Sequence, residues 1–201
     1  PGFFVNRVLG PYLNEAMLLL QEGNSISEID GALKRFGMPM GPLRLLDEVG
    51  LDVAGKVAAE LGAVFGDRIP TASAGLRLQE AGRLGRKGGA GFYRYPSDGK
   101  PSPDPEAASI AGAEGSGGAS AEEIVDRCVL ALLNEACLTL DEGVITSAPA
   151  ADLALVLGTG FAPFRGGIFR YADARGAADI VQRLESLAAP SAPRFRPAPQ
   201  L

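Results

Sequence analysis

The residues of this sequence whose types and spacing could do chemistry sit in a block written twice. Asn6 to Gly23, NRVLGPYLNEAMLLLQEG, returns at Asp126 to Gly143 as DRCVLALLNEACLTLDEG, with Leu-Asn-Glu-Ala intact at 13–16 and at 133–136. Such self-similarity marks a duplicated structural unit. Each copy controls for the other: what both keep serves the fold, and what only one keeps is a candidate for function. Asn14-Glu15 and Asn134-Glu135 place polar groups in otherwise apolar helices, which is costly unless they find partners. Glu15 could act as a general base. Because both copies keep the pair, the preferred reading is structural: the pair holds the next helix or its connecting turn, as buried polar groups are normally satisfied. Asn6 is different, since its counterpart is Asp126. A primary amide donates to a carbonyl or alkoxide oxygen without titrating, which suits polarisation of a substrate carbonyl. An N-cap or turn role is the alternative.

Other motifs are weaker. Gly85-Arg86-Lys87-Gly88-Gly89-Ala90-Gly91 has the look of a phosphate-cradling loop but lacks the Gly-Lys-Ser/Thr ending and its strand-to-helix setting. A flexible turn feeding Phe92, Tyr93 and Tyr95 onto the bundle is preferred. Arg165-Gly166-Gly167 and Arg170-Tyr171 read as glycine-permitted close packing beside an exposed cation. Histidine is absent, which removes the commonest general base and metal ligand, and no metal-ligand cluster is visible. Any His-dependent chemistry has to come from another segment. Cys128 and Cys137 fall on one helix about 13 Å apart along its axis, too far to pair, and read as reduced, partly buried thiols.

The elements that must position these residues are helical. Val5, Leu9, Tyr12, Leu13, Ala16 and Leu20 recur at helical spacing, and Val125, Val129, Leu132, Leu133, Ala136 and Leu140 repeat that stripe. Gly23 and Gly143 stand where helices end. Shorter helices follow at 28–36, capped by Ser27, and at 150–157, opened by Pro149 and Asp152. Glycine-rich turns, 37–42 and 158–167, lead to short helices at 43–47 and 168–173, then to helices at 52–65 and 176–187. The first half adds a helix around 72–81 and an extended piece at 91–95. Pro96 to Ser120 has the Pro, Gly, Ser and Ala content of a linker or long surface loop. Prolines at 190, 193, 197 and 199 predict an extended tail over 189–201.

The 201 residues, 46% hydrophobic, suffice for a real core. A net charge of -5 with scattered basic residues argues against a nucleic-acid surface. No apolar run approaches the ~20 residues of a membrane span, and no export signal is visible, so a cytoplasmic protein is expected.

These motifs together resemble the C-terminal region of L-3-hydroxyacyl-CoA dehydrogenases. Pro1 to Arg7, Pro11 to Ala16, Ile29-Asp30, Phe36 to Pro42, Asp47 to Asp52 and Lys87 to Tyr95 match in order across the first half. Gly160 to Gly167 and Arg170 to Asp173 are similar to the second helical domain of multifunctional fatty-acid oxidation alpha subunits. The resemblance implies an all-α fold: two tandem copies of the 6-phosphogluconate/3-hydroxyacyl-CoA dehydrogenase C-terminal helical domain, at 1–95 and 121–201 with a 96–120 linker, packed as a pseudo-dimer. It also implies that Asn6 lines the dehydrogenase active site and orients a histidine and the substrate oxygen. Hydride passes from C3 of a 3-hydroxyacyl-CoA to NAD, and Pro39, Met40, Gly41 and Pro42 are candidates for contact with the substrate. NAD and the His-Glu pair belong to a Rossmann domain outside these residues, so the chain by itself is expected to be inactive. A hydratase domain, a thiolase subunit and homodimerisation are possible in the family. A non-catalytic helical interaction module is the alternative.

Overall fold

The computed structural model describes residues 2–69, 71–188, 192–199 and 201. Its helices are α1 (Phe3–Gln21), α2 (Ile26–Phe36), α3 (Pro42–Val49), α4 (Leu51–Phe65), α5 (Ala74–Glu80), α6 (Pro105–Ile110), α7 (Ala121–Asp141), α8 (Ala148–Thr159), α9 (Ile168–Arg175) and α10 (Ala177–Ala188). Two short antiparallel strands, β1 (Tyr93–Arg94) and β2 (Ser102–Pro103), lie between α5 and α6. The architecture is all-α, with α1 and α7, the two copies of the repeated block, packed on each other at its centre.

Both central helices are buried on most sides, because their apolar stripes meet each other and the shorter helices of both copies. Val8, Ala16, Leu19 and Leu20 of α1 and Cys128, Leu130, Leu132, Leu133 and Ala136 of α7 are fully enclosed. Farther out, Phe36 of α2 meets Phe161 and Tyr171 edge-on at 5.8 and 5.3 Å between ring centres. Such pairs contribute about 1 kcal/mol each beyond their buried area. Arg165 closes this seam by lying over the Phe36 ring and donating to its carbonyl at 3.0 Å. It joins the copies rather than standing free as an exposed cation.

Local sequence explains the corners. The expected cap Ser27 is displaced by Ser25, because Ser25-Ile26-Ser27-Glu28 makes a capping box: Ser25 Oγ accepts from the Glu28 amide and Glu28 Oε2 accepts from the Ser25 amide. Ser147 caps α8 one way only, its Oγ accepting from the Ala150 amide at 3.3 Å, with Pro149 in the first turn. Asp30 on α2 then accepts from the Leu43 and Arg44 amides at 2.9 and 3.0 Å, satisfying the free N–H groups that open α3. Asp152 on α8 does the same for Phe169 and Arg170 of α9, at 2.7 and 3.3 Å. The carboxyl group of Asp30 leaves no room for a side chain at residue 41, so glycine is required there. Gly50 and Gly176, at φ 96° and 95°, turn the chain from α3 into α4 and from α9 into α10.

One expectation changes. The 96–120 segment is not a plain linker: it carries β2 and α6, and its later part is tied to the end of α1. Gln21 Nε2 donates to the Ala111 carbonyl, Asn24 Nδ2 to that of Ala119, and the Gly117 amide to that of Glu22. Small residues let this backbone approach α1 closely enough for those bonds. The described part of the tail forms no α-helix, as expected, and is docked. A 3-10 turn at Pro193–Phe195 buries Phe195, and Asn134 brackets the strand-like backbone beyond it, donating to Arg196 O at 2.8 Å and accepting from Ala198 N at 2.7 Å. The prolines prevent a helix without preventing burial.

Candidate functional site

Asn14 is buried, and its Oδ1 accepts from Ala72 N at 2.6 Å, holding the turn before α5 as Asn134 holds Ala198. Glu15 does not reach its own next helix. It faces across to Arg127 of α7, whose Nε donates to Oε2 at 3.1 Å, and to Arg194 of the tail. Glu135 reciprocates with Arg7 at 2.7 Å and Arg68 at 2.9 Å. Glu22 and Glu142 complete the two clusters, on Arg127 and on Arg7 with Arg68. Both carboxylate oxygens of Glu15 are taken up by Arg127 and Arg194, so Glu15 is a strut between the copies rather than a group open to substrate. Arg7 and Arg127, identical in both copies, were the signal for this pairing.

Asn6 sits on the exposed side of α1 and lines a cavity of about 550 Å³ between α1, α3, α4 and α5. That size is usual for a small-molecule site, ~300–1,000 Å³. Leu9, Leu13 and Met17 follow Asn6 along the same face of α1, with Leu46, Val49, Val53, Val57, Leu61 and Ile69 opposite. From Asn6 to Met17 the helix advances about 16 Å. The mouth is apolar too: Val49, Val53 and Leu76 are substantially exposed.

The second copy shows how this cavity arises. The matching partners of Asp30 and Asp152, Arg68 and Arg194, and Ala72 and Ala198 pair residues 41–72 with 167–198 without a gap. Under that pairing Ala54 corresponds to Ile180, Ala58 to Leu184 and Ile69 to Phe195, while the repeat of the long helices pairs Gly10 with Leu130. All four of the larger residues are buried at the corresponding positions. Val49 and Val57 correspond to Arg175 and Arg183, which clamp Asp126 at 2.5 and 2.7 Å. Asp126 is thus a locked structural anion, while Asn6 opens onto an empty apolar cleft. The cleft beside Asp126 is lined by Arg35, Arg165 and Arg175 against Glu122, Asp126 and Asp179, so its charges compensate.

The Pro39 to Pro42 turn does not line the Asn6 cavity. Gly41 rests on Asp30, Pro42 opens α3, and Pro39 packs toward Gly160 of the second copy. The turn builds the α2–α3 corner, a task that its sequence alone did not distinguish from ligand contact. The Gly85–Gly91 loop is no phosphate cradle. The Asp47 carboxylate occupies the backbone donors just beyond it, accepting from the Phe92 and Tyr93 amides and the Tyr95 hydroxyl, each at 2.9 Å. Tyr93 Oη donates to Asp30 at 2.7 Å. Burial pushes Asp30 up to about 6 and also raises Asp47, against these donors. Among the described residues no group of acids, cysteines or histidines is placed to hold a metal, and no helix is long and apolar enough to cross a membrane.

Residues 2–95 match the family model described as 3-hydroxyacyl-CoA dehydrogenase, C-terminal domain. Among solved structures, a 3-hydroxybutyryl-CoA dehydrogenase from Escherichia coli K12 matches 100% of this chain and 58% of its own, with a TM-score of 0.82 and 24% identity, a likeness of fold. The dehydrogenase part of multifunctional enzyme 1 from C. elegans matches 77% of this chain and 36% of its own, with a TM-score of 0.63 and 26% identity. The chain therefore spans little more than half of the first protein and about a third of the second.

Proposed function

We propose, from the match of residues 2–95 to the family model of the 3-hydroxyacyl-CoA dehydrogenase C-terminal domain, that this chain forms the substrate-cleft and assembly part of an NAD-dependent L-3-hydroxyacyl-CoA dehydrogenase of fatty-acid β-oxidation. The observation that carries the reading is the contrast between Asn6, exposed at an apolar cavity, and Asp126, sealed by two arginines in a filled counterpart. Oxidation of a 3-hydroxyacyl-CoA to the 3-ketoacyl-CoA removes a hydride from C3 and a proton from the hydroxyl. NAD supplies the hydride acceptor, and it is held by a nucleotide-binding domain rather than by this chain, whose Gly85–Gly91 loop lacks the strand-to-helix setting of a phosphate cradle and leads straight to the Phe92 and Tyr93 amides that Asp47 holds.

With no histidine among its 201 residues, the chain does not supply the expected His-Glu pair that takes the proton. Its own residues bind and orient. The Asn6 amide carbonyl can hold the histidine, and its NH2 can donate to the C3 oxygen as that oxygen becomes a carbonyl. The apolar walls take up acyl chain and exclude water. The second copy stands in for a partner subunit, covering the apolar face of the first.

The test is NADH formation from 3-hydroxyacyl-CoA, followed by absorbance. A polypeptide joining this chain to its nucleotide-binding domain is expected to be active, to lose activity on Asn6→Ala, and to retain it on Asp126→Ala, whereas the 201-residue chain alone is inactive. A joined polypeptide that folds and binds NAD yet oxidises no 3-hydroxyacyl-CoA would leave the helical interaction module as the reading.

A further inference from the structure

The cavity beside Asn6 is open because particular residues are small. Where the first copy has Gly10, Ala54 and Ala58, the second has Leu130, Ile180 and Leu184, all fully buried in the same place. The same scaffold therefore exists in this molecule once filled and once hollow, and the hollow version is the one that carries Asn6. The cavity runs about 16 Å along α1 from Asn6 to Met17. Met17 is buried, and a side chain at Gly75 would meet its sulfur at 3.4 Å, so α5 closes that end.

We infer that this channel takes the hydrocarbon tail of a medium-length acyl thioester, and that Gly10, Ala54 and Ala58 on its walls, with Met17 at its end, set the chain length accepted. The inference rests on the dehydrogenase reading and adds a substrate class to it. With the hydroxyl-bearing carbon at Asn6, the carbons beyond it lie along Leu9 and Leu13 toward Met17. Each methylene buried there strengthens binding roughly fourfold. A butyryl group has a single carbon beyond C3 and stays beside Asn6, whereas the nine carbons beyond C3 of a dodecanoyl group extend down the channel toward its Met17 end.

The second copy supplies the test substitutions, which its own backbone already tolerates. In the polypeptide joined to its nucleotide-binding domain, Ala54→Ile with Ala58→Leu is expected to lower the ratio of kcat/KM for 3-hydroxydodecanoyl-CoA to that for 3-hydroxybutyryl-CoA by about 100-fold. Cooperative unfolding at the midpoint of the unsubstituted enzyme shows that the variant is folded. Met17→Ala, which lengthens the channel instead of blocking it, is expected to shift preference toward longer chains. Equal losses on both substrates, or no loss on either, overturn the assignment of these residues to chain length while leaving the dehydrogenase reading intact. Absence of oxidation of any chain length by the unsubstituted enzyme overturns both.

Discussion

Arg7 and Glu135 are 128 positions apart and joined at 2.7 Å, both almost wholly buried. Arg127 and Glu15 repeat the pair with the copies exchanged. Each arginine reaches from one central helix to the carboxylate of the other, so the two clusters fix the register of α1 on α7 from both sides. Breaking a buried pair strands the remaining charge, whereas forming it gains little over apolar packing.

Glu135→Ala is therefore expected to destabilise the chain by about 3–5 kcal/mol, read by denaturant unfolding, and Glu15→Ala by a similar amount. In the joined enzyme, a Glu15→Ala variant that keeps full stability while losing turnover would restore Glu15 as a catalytic base.

Asn6→Ala removes an exposed amide and leaves the packing of α1 unchanged. Its expected effect on the joined enzyme is a loss of roughly 100-fold in kcat, with unfolding unaltered. Asp126→Ala gives the reverse: it takes from Arg175 and Arg183 the carboxylate they share, lowering stability with little change in rate. Equal rate losses from both substitutions would contradict the division between the copies.

Asp30 titrates at about 6 in the folded chain, above its ordinary value of 3.8, because burial outweighs its three donors. A raised folded pKa means that the folded state holds the proton more tightly. The stabilisation from Asp30 is present below the unfolded value and is lost as pH rises through about 6. The stability advantage of the wild-type chain over Asp30→Asn is expected to shrink between about pH 4 and pH 7. A difference that stays flat across that range refutes the shift.

Burial raises the Cys128 thiol and pushes Cys137 up to about 12. Because the thiolate is the reactive form, both are expected to resist a thiol reagent near neutral pH and to react on unfolding. Rapid labelling of the native chain would show that α7 opens locally.

Periodicity and capping residues made most helices legible. Helix spacing in the repeated block is local information, and the two copies confirmed each other. The Ser27 assignment failed because two serines stand next to the helix start and only the reach of Glu28 selects Ser25. The 96–120 segment was misjudged because small residues and prolines signal the absence of long helix, not the absence of docking. The Pro39 to Pro42 turn was assigned to substrate because a glycine-proline corner reads the same whether it meets a ligand or, as here, a carboxylate on the preceding helix.

By itself the sequence determined that this is a duplicated all-helical chain, that Asn6 and Asp126 are not equivalent, and that no histidine of its own can move a proton. Those are properties of residue type and period. Only the tertiary structure decided what each difference does. Whether Gly10, Ala54 and Ala58 are merely small or leave a cavity depends on how far α4 stands from α1. Whether Glu15 is a base or a strut depends on Arg127 and Arg194, which lie more than a hundred residues away in the chain and are brought beside it by the packing of one copy on the other.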